Sequence, residues 1–307
     1  MNIKNAIKSL RYEIISLTII LVMVGSTILF GDREIILPEM AALCTGAFMY
    51  QEKSWLHNPQ MLFWGPLGTA IIGFLVNLLP FALATKLILV IFLMLTYMYL
   101  IGTKLGPSLA TGLLPVITNA HSFSFIVAIL LGTLILYSVI YLLKLGTTKK
   151  NRRPKEKLSL TKFGLFALLM TVWILLSQWL RWNLYLAIPP VMVVAFELIH
   201  LPKITSKILL KQLIVLSLAA TVGVIAVLYL PNLLLASLFD FFAVIVLLRL
   251  FKMHLPPAFA MSLLPMVLPL SKVDYLPIYT FVMFVILAVL IYFLKRQPII
   301  RLLSIKY

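Results

Sequence analysis

Apolar residues run along this chain in long unbroken blocks, not in the short alternations of a soluble fold. Eight blocks lie near residues 13–30, 61–80, 81–102, 122–143, 162–181, 212–230, 232–251 and 276–294. About 20 apolar residues in a helix rising roughly 1.5 Å each cover the hydrocarbon core of a bilayer, so each block is about the length of one crossing. Four shorter apolar stretches lie between them, near 36–50, 106–118, 186–199 and 255–270. The pattern predicts an all-α polytopic membrane protein.

The short stretches share a design. They read LPEMAALCTGAF from Leu37, GPSLATGLLPVI from Gly106, PPVMVVAFELI from Pro189 and PPAFAMSLLPMV from Pro256, each starting at proline and continuing with small and apolar residues. ATGLLPVI from Ala110 matches AMSLLPMV from Ala260 at an offset of 150 residues, and Pro80 and Pro231 close long blocks at nearly the same offset. Such repetition predicts an internal duplication. Its halves are residues 1–144 and 162–307, joined over 145–161 by a basic polar linker containing TTKKNRRPKEKLSLT from Thr147.

Charge then fixes a topology. The chain holds 26 Lys+Arg against 9 Asp+Glu. In a soluble protein that imbalance would point to nucleic acid. Here the bases fall between apolar blocks, as the positive-inside rule requires, so the expected partner is a lipid bilayer and not nucleic acid. If all four short stretches cross, each half has six segments and both termini are cytoplasmic. The inner side then collects Lys53, Lys104, the linker, Lys203, Lys207, Lys211, Arg249, Lys252 and the terminal bases, leaving Arg33, Lys86, Arg181 and Lys272 outside. Re-entrant short stretches would instead turn Lys203, Lys207 and Lys211 outward. The bias favours about twelve transmembrane segments in two parallel six-segment repeats. The order long, short, long recurs twice in each half, which also fits two three-helix units of opposite orientation. Lys4, Lys8 and Arg11 precede the apolar run Ile14–Phe30 with no A-x-A-like cleavage site after it, so an uncleaved first span in a bacterial plasma membrane is expected.

Composition removes other classes. Hydrophobic residues make up 63% and charged residues 11%, against about 25% charged in soluble domains. The single Cys44 excludes an internal disulfide framework. There is no H-E-x-x-H, G-x-S-x-G, P-loop or C-x-x-C, so neither an enzyme nor a metal or other cofactor is expected. No stretch outside the membrane blocks is long enough to hydrolyse ATP.

The candidate chemistry lies in the short stretches. A helix that starts at proline inside the bilayer leaves backbone N–H groups at the positive end of its dipole, where an anion can bind. Pro38, Pro107, Pro190 and Pro257 are therefore expected to mark half-helix starts around a substrate site, with Ser108, Thr111 and Ser262 as hydroxyl donors. The competing explanation is close helix packing, which selects the same small and hydroxylated residues and also accounts for Gly65, Gly68, Thr69, Ala70 and Gly73. Ionisable groups inside apolar runs are costly and point to function. Asp240 within LLLASLFDFFAVIVLL and Glu39 beside Pro38 are candidates to couple protons or a cation, unless one pairs with Arg249 or a lysine as a structural ion pair. Glu197 sits late in its short helix, Lys86 can snorkel, and the four histidines fall at segment ends without ligand spacing.

HLPPAFAMSLLPMV from His254 resembles the HPP family of integral membrane proteins, named for a His-Pro-Pro motif followed by small residues; here a leucine separates His254 from Pro256 and Pro257. SWLHNP from Ser54, followed by GPLGTAIIG from Gly65, resembles that family's S-x-L-x-x-P stretch and its small-residue helix, and GPSLATGLLPVI stands as the first half's version of the motif. The likeness covers roughly 36–143 and, more faintly, 186–294, so the chain looks like two HPP-like units fused in tandem. The resemblance implies a permease for a small anion such as nitrite, a secondary transporter or uniporter in which two halves rock around a midplane site. Two other classes stay open. One moves a larger amphiphile such as a lipid-linked phosphate through a lateral opening. The other is a non-transporting scaffold with no central cavity. The oligomeric state is open too, a homodimer included.

Overall fold

A computed structural model of the chain describes residues 3–146, 158–182 and 187–296, so the middle of the basic linker and the C-terminal bases beyond Arg296 lie outside the described residues. Among the described residues every regular element is helical. The first half comprises α1 (Ile3–Phe30), α2 (Pro38–Cys44) continued by a π-helical turn (Thr45–Met49), the short α3 (Lys53–Leu56), α4 (Met61–Asn77), α5 (Leu83–Ile101), α6 (Pro107–Thr118) and α7 (Phe123–Leu142). After the linker come α8 (Leu160–Trp179), α9 (Pro189–His200), α10 (Ser206–Tyr229), α11 (Leu233–Phe251), α12 (Pro257–Leu263) with a 3-10 turn to Met266, and α13 (Leu276–Arg296).

Local chemistry sets these boundaries. Ser122, Ser159, Thr205 and Asn232 are the N-caps of α7, α8, α10 and α11, each accepting an amide from the first turn. Gly102, Asn119 and Lys252 end α5, α6 and α11 in the left-handed conformation that closes a helix. Thr205 starts α10 earlier than the apolar run suggests, so Lys207 and Lys211 stand on its first turns and not in a loop.

Seven of the described helices are long and apolar enough to cross a membrane: the Leu10–Phe30 part of α1, with α5, α7, α8, α10, α11 and α13. They leave Phe30, Leu100, Phe123, Tyr141, Trp179 and Tyr229 largely exposed. Such a surface suits lipid, with aromatic rings at the span ends where the headgroups begin. The chain is a membrane protein.

The helices run between two ends. At one, Arg249 pairs with Glu13 at 2.6 Å, Tyr50 stacks on His254, Lys211 donates to the Phe251 carbonyl at 2.7 Å, and Lys295 donates to the Leu201 carbonyl. Lys53, Lys104, Lys203 and Lys252 lie in the connections there, so this is the basic end. At the other end Glu34 accepts the amides of His121 and Ser122 at 3.0 and 2.9 Å, and Asp32 accepts the Ser124 hydroxyl at 2.5 Å. Lys86, there too, donates to the Asn77 carbonyl at 2.5 Å and so caps the end of α4.

Packing falls into two matching sets. Helix α4 contacts α5, α6 and α7, as α10 contacts α11, α12 and α13. Helix α1 of the first half lies on α11 of the second, and α8 lies on α5. The elements α5 and α11 begin and end 150 residues apart (83 to 233, 101 to 251), and α6 and α12 start 150 apart (107 to 257). The closest backbone approach follows the same offset. A Cβ on Gly73 would stand 1.9 Å from the Gly112 carbonyl oxygen, and one on Gly223 would stand 2.0 Å from that of Ser262. Only a residue without a side chain lets α4 meet α6, and α10 meet α12, at that distance.

Gly73→Ala and Gly223→Ala should each cost about 1–3 kcal/mol, the usual penalty for overpacking, read as lower thermal stability in detergent. Gly164→Ala, where a Cβ meets nothing within 4 Å, should leave stability unchanged or slightly raised. A second expectation concerns pH. The Ser124 hydroxyl, helped by the Glu34 amide, holds the Asp32 carboxyl below its ordinary 3.8, against a smaller opposing effect of burial. A depressed carboxyl stabilises the fold above its unfolded value and loses that contribution as pH falls through the folded one. Ser124→Ala should therefore lower the melting temperature at pH 7, and the gap to wild type should close as pH drops below 3.8.

Candidate functional site

The four short helices meet at the centre. Helix α2 packs on α12, α12 on α9, α9 on α6 and α6 on α2, closing a ring. Nearly all of it is buried: residues 36–48, 105–116, 187–196 and 255–266 lie inside the long helices. A 12-residue helix such as α6 or α9 is only about 18 Å long, short of the roughly 30 Å hydrocarbon core. It can stay in the membrane because the surrounding helices cover its ends.

Neighbours in the ring run antiparallel. Tyr50, just after the π turn that ends α2, stacks on His254, just before α12, with ring centroids 4.6 Å apart. Gly106, just before α6, lies against Val193 and Glu197, from the middle of α9 towards its C-terminal end. The four prolines therefore do not converge. Pro107 and Pro257 start helices at the basic end, while Pro38 and Pro190 start theirs toward the opposite end.

The first-turn amides are also occupied. Ser108 N–H donates to Leu105 and Leu109 N–H to Gly106; Met40 donates to Leu37; Val191 and Met192 donate to Ile188; Ala258 donates to Leu255 and Phe259 to Pro256. Since proline itself brings no N–H, little donor capacity is left at these starts. Two of the three candidate hydroxyls follow suit. Thr111 donates to the carbonyl of Ser108 or Pro66, at 2.9 and 3.1 Å, and meets the Thr69 hydroxyl at 2.7 Å. Ser262 donates to the Phe259 carbonyl at 3.1 Å. The Ser108 hydroxyl is buried without a hydrogen-bond partner among the described residues and lies 2.6 Å from where a Cβ of Gly65 would be. Ser108 and Thr111 therefore belong to the seam between α4 and α6 in this conformation. The seam lined by Ala41, Ser237, Phe241, Phe259 and Ser262 holds no space for a water molecule.

Two side chains stand apart. Asp240 is 0% exposed on α11, and neither carboxylate oxygen has a hydrogen-bond partner among the described residues. Glu39 on α2 is buried as well, with Oε1 unpartnered. Arg249, the basic residue nearest Asp240 along α11, pairs with Glu13 instead. An isolated buried carboxyl is expensive whichever way it is protonated, so no structural ion pair explains Asp240. The position 150 residues earlier holds an apolar side chain, Val90. Among the described residues no three His, Cys, Asp or Glu groups converge as a metal site would require.

The open space lies elsewhere. A cavity of about 360 Å³ at the basic end is lined by Glu13, Met49, Tyr50, Ile245, Leu248, Arg249, Lys252, Met253 and His254. Sequence reasoning did not assemble it. Arg249 and Lys252 read as ordinary bases at a span end, and Glu13 is 236 residues from Arg249. Glu52 is close by; its burial raises the carboxyl above its ordinary range, and His254 partly opposes that rise. Searches against protein-family models, curated proteins and solved structures found no match.

If Asp240 has no structural partner, Asp240→Val should raise stability by about 1–3 kcal/mol in a detergent melt, because it removes an unsatisfied buried polar group at nearly constant volume. A loss of stability would show that the carboxyl holds the fold together.

Proposed function

We propose that the chain is a membrane transporter, a secondary transporter or uniporter for a small anion such as nitrite or a related oxyanion. It is built from two six-segment repeats with both termini in the cytoplasm, and the basic end is the cytoplasmic one. The matching contact sets and the two glycine approaches at one offset support the repeat. The segregation of bases supports the orientation. The resemblance to the HPP family supports the substrate class.

The observation that carries transport is Asp240, buried within the membrane part of the protein with neither carboxyl oxygen partnered among the described residues; Glu39, whose Oε1 lacks a partner there, is a second buried acid. A carboxyl kept there without a counter-ion can take a proton when the site faces one side and release it when the site faces the other. Rocking of the two repeats about the central ring would supply that alternation. The tight seam along α2, α11 and α12 and the occupied donors of Thr111 and Ser262 fit an occluded conformation, in which Ser108, Thr111 and Ser262 turn to substrate only when the seam opens.

Purified protein in liposomes should catalyse flux of at least one of nitrite, nitrate, phosphate or a small carboxylate, accelerated by a pH gradient. Asp240→Asn should keep the fold and lose the pH dependence. No flux with any of these anions, together with an Asp240→Asn protein indistinguishable from wild type, would leave a membrane scaffold as the better reading.

A further inference from the structure

The cavity at the basic end is larger and more apolar than a triatomic oxyanion needs. Its volume of about 360 Å³ lies in the usual range for small-molecule sites and equals the room of about a dozen waters. The charged part of the wall is Arg249, Lys252 and Glu13, with the Tyr50–His254 stack beside it; Met49, Ile245, Leu248 and Met253 make the apolar part. An inorganic anion would leave that apolar part against water.

We propose that this cavity binds an organic anion, a carboxylate or phosphate monoester carrying a short apolar chain. The inference rests on the reading that the chain transports an anion, and it names the class of substrate taken up at the basic end. The guanidinium of Arg249 suits a carboxylate or phosphate group through paired N–H donors. It already holds one: Glu13 Oε1 sits 2.6 Å from its Nη2. The Arg249 side chain is 66% exposed and Glu13 15%, so the base reaches in from the rim to a carboxylate set in the wall. Glu13 thereby occupies the position that the ligand's own anionic group takes on binding, and Lys252 supplies a second positive charge.

The backbone is shaped to the same end. Lys252 has φ 49°, the left-handed region that a non-glycine residue adopts at a steric cost. Successive helical residues point about 100° apart, so a continuing helix would scatter Lys252, Met253 and His254 around its axis. The turn at Lys252 instead brings all three into the cavity lining with Leu248 and Arg249. Arg249 and Lys252 are the Arg and Lys side chains in the lining that face the ligand.

The test uses the full chain purified in detergent, with hexyl phosphate, hexanoate and inorganic phosphate as probes, followed by melting temperature and titration calorimetry. A chain-bearing anion should bind saturably and stabilise the protein well above inorganic phosphate at equal concentration. Arg249→Gln should weaken that binding about tenfold or more, the loss of one charged hydrogen-bonded contact. Glu13→Gln should tighten it by freeing the guanidinium. Nanodiscs separate two sources of the ligand. Hexyl phosphate binding lost in phosphatidylglycerol discs but kept in phosphatidylcholine discs supports a lipid headgroup as occupant; binding kept in both supports a soluble anion. Absence of binding, equal binding of inorganic phosphate, or binding untouched by Arg249→Gln overturns the proposal. Binding without flux in liposomes would overturn the transport reading and leave this one, whereas anion flux unaffected by Arg249→Gln, with no binding here, would do the reverse.

Discussion

Everything in this molecule depends on wrapping four helices too short to span a bilayer inside helices long enough to do so. Hydrocarbon offers no water to exposed N–H and C=O groups, so the ends of α2, α6, α9 and α12 must be closed by protein. They are closed locally, by carbonyls one turn back, and globally, by α4 and α5 packed on α6, α10 and α11 on α12, α8 and α13 on α9, and α1 and α7 on α2. The glycine approaches at Gly73 and Gly223 make that wrapping tight. Apolar burial gives little drive for association between helices already in lipid, so close van der Waals fit at such points carries much of the cohesion.

Tight wrapping gives the two interior acids their meaning. Where Thr111, Ser262 and the first-turn amides are all engaged, Asp240 with two unpartnered oxygens departs from the pattern. The residue 150 positions earlier, Val90, is apolar. Acid and cavity belong mainly to α2, α11 and the turn after α11, where the first half meets the second.

The two ends of the molecule are held differently. One is clasped by carboxylates that accept amides and a hydroxyl, with Glu34 and Asp32 reaching to the start of α7. At the other, the Arg249–Glu13 pair and the Tyr50–His254 stack border an open cavity, and Lys211 and Lys295 donate to the carbonyls of Phe251 and Leu201.

The sequence by itself marked the four proline-started pieces and seven of its eight long blocks as spanning helices; the block at 61–80 folds as the shorter α4, Met61–Asn77. Length and apolarity are dictated by the bilayer, so no distant contact is needed to read the seven. The glycine- and hydroxyl-rich segments were legible as important, but not as seam or binding site, because close packing and ligand contact select the same residue types. Only the tertiary structure decided that neighbouring short helices run antiparallel, which separates Pro107 and Pro257 from Pro38 and Pro190 although all four look alike in sequence. It alone set Glu13 against Arg249 and Tyr50 against His254, and so made the cavity. Those pairings depend on how α1, the end of α2 and α11 pack in three dimensions, and no local pattern of residues encodes that.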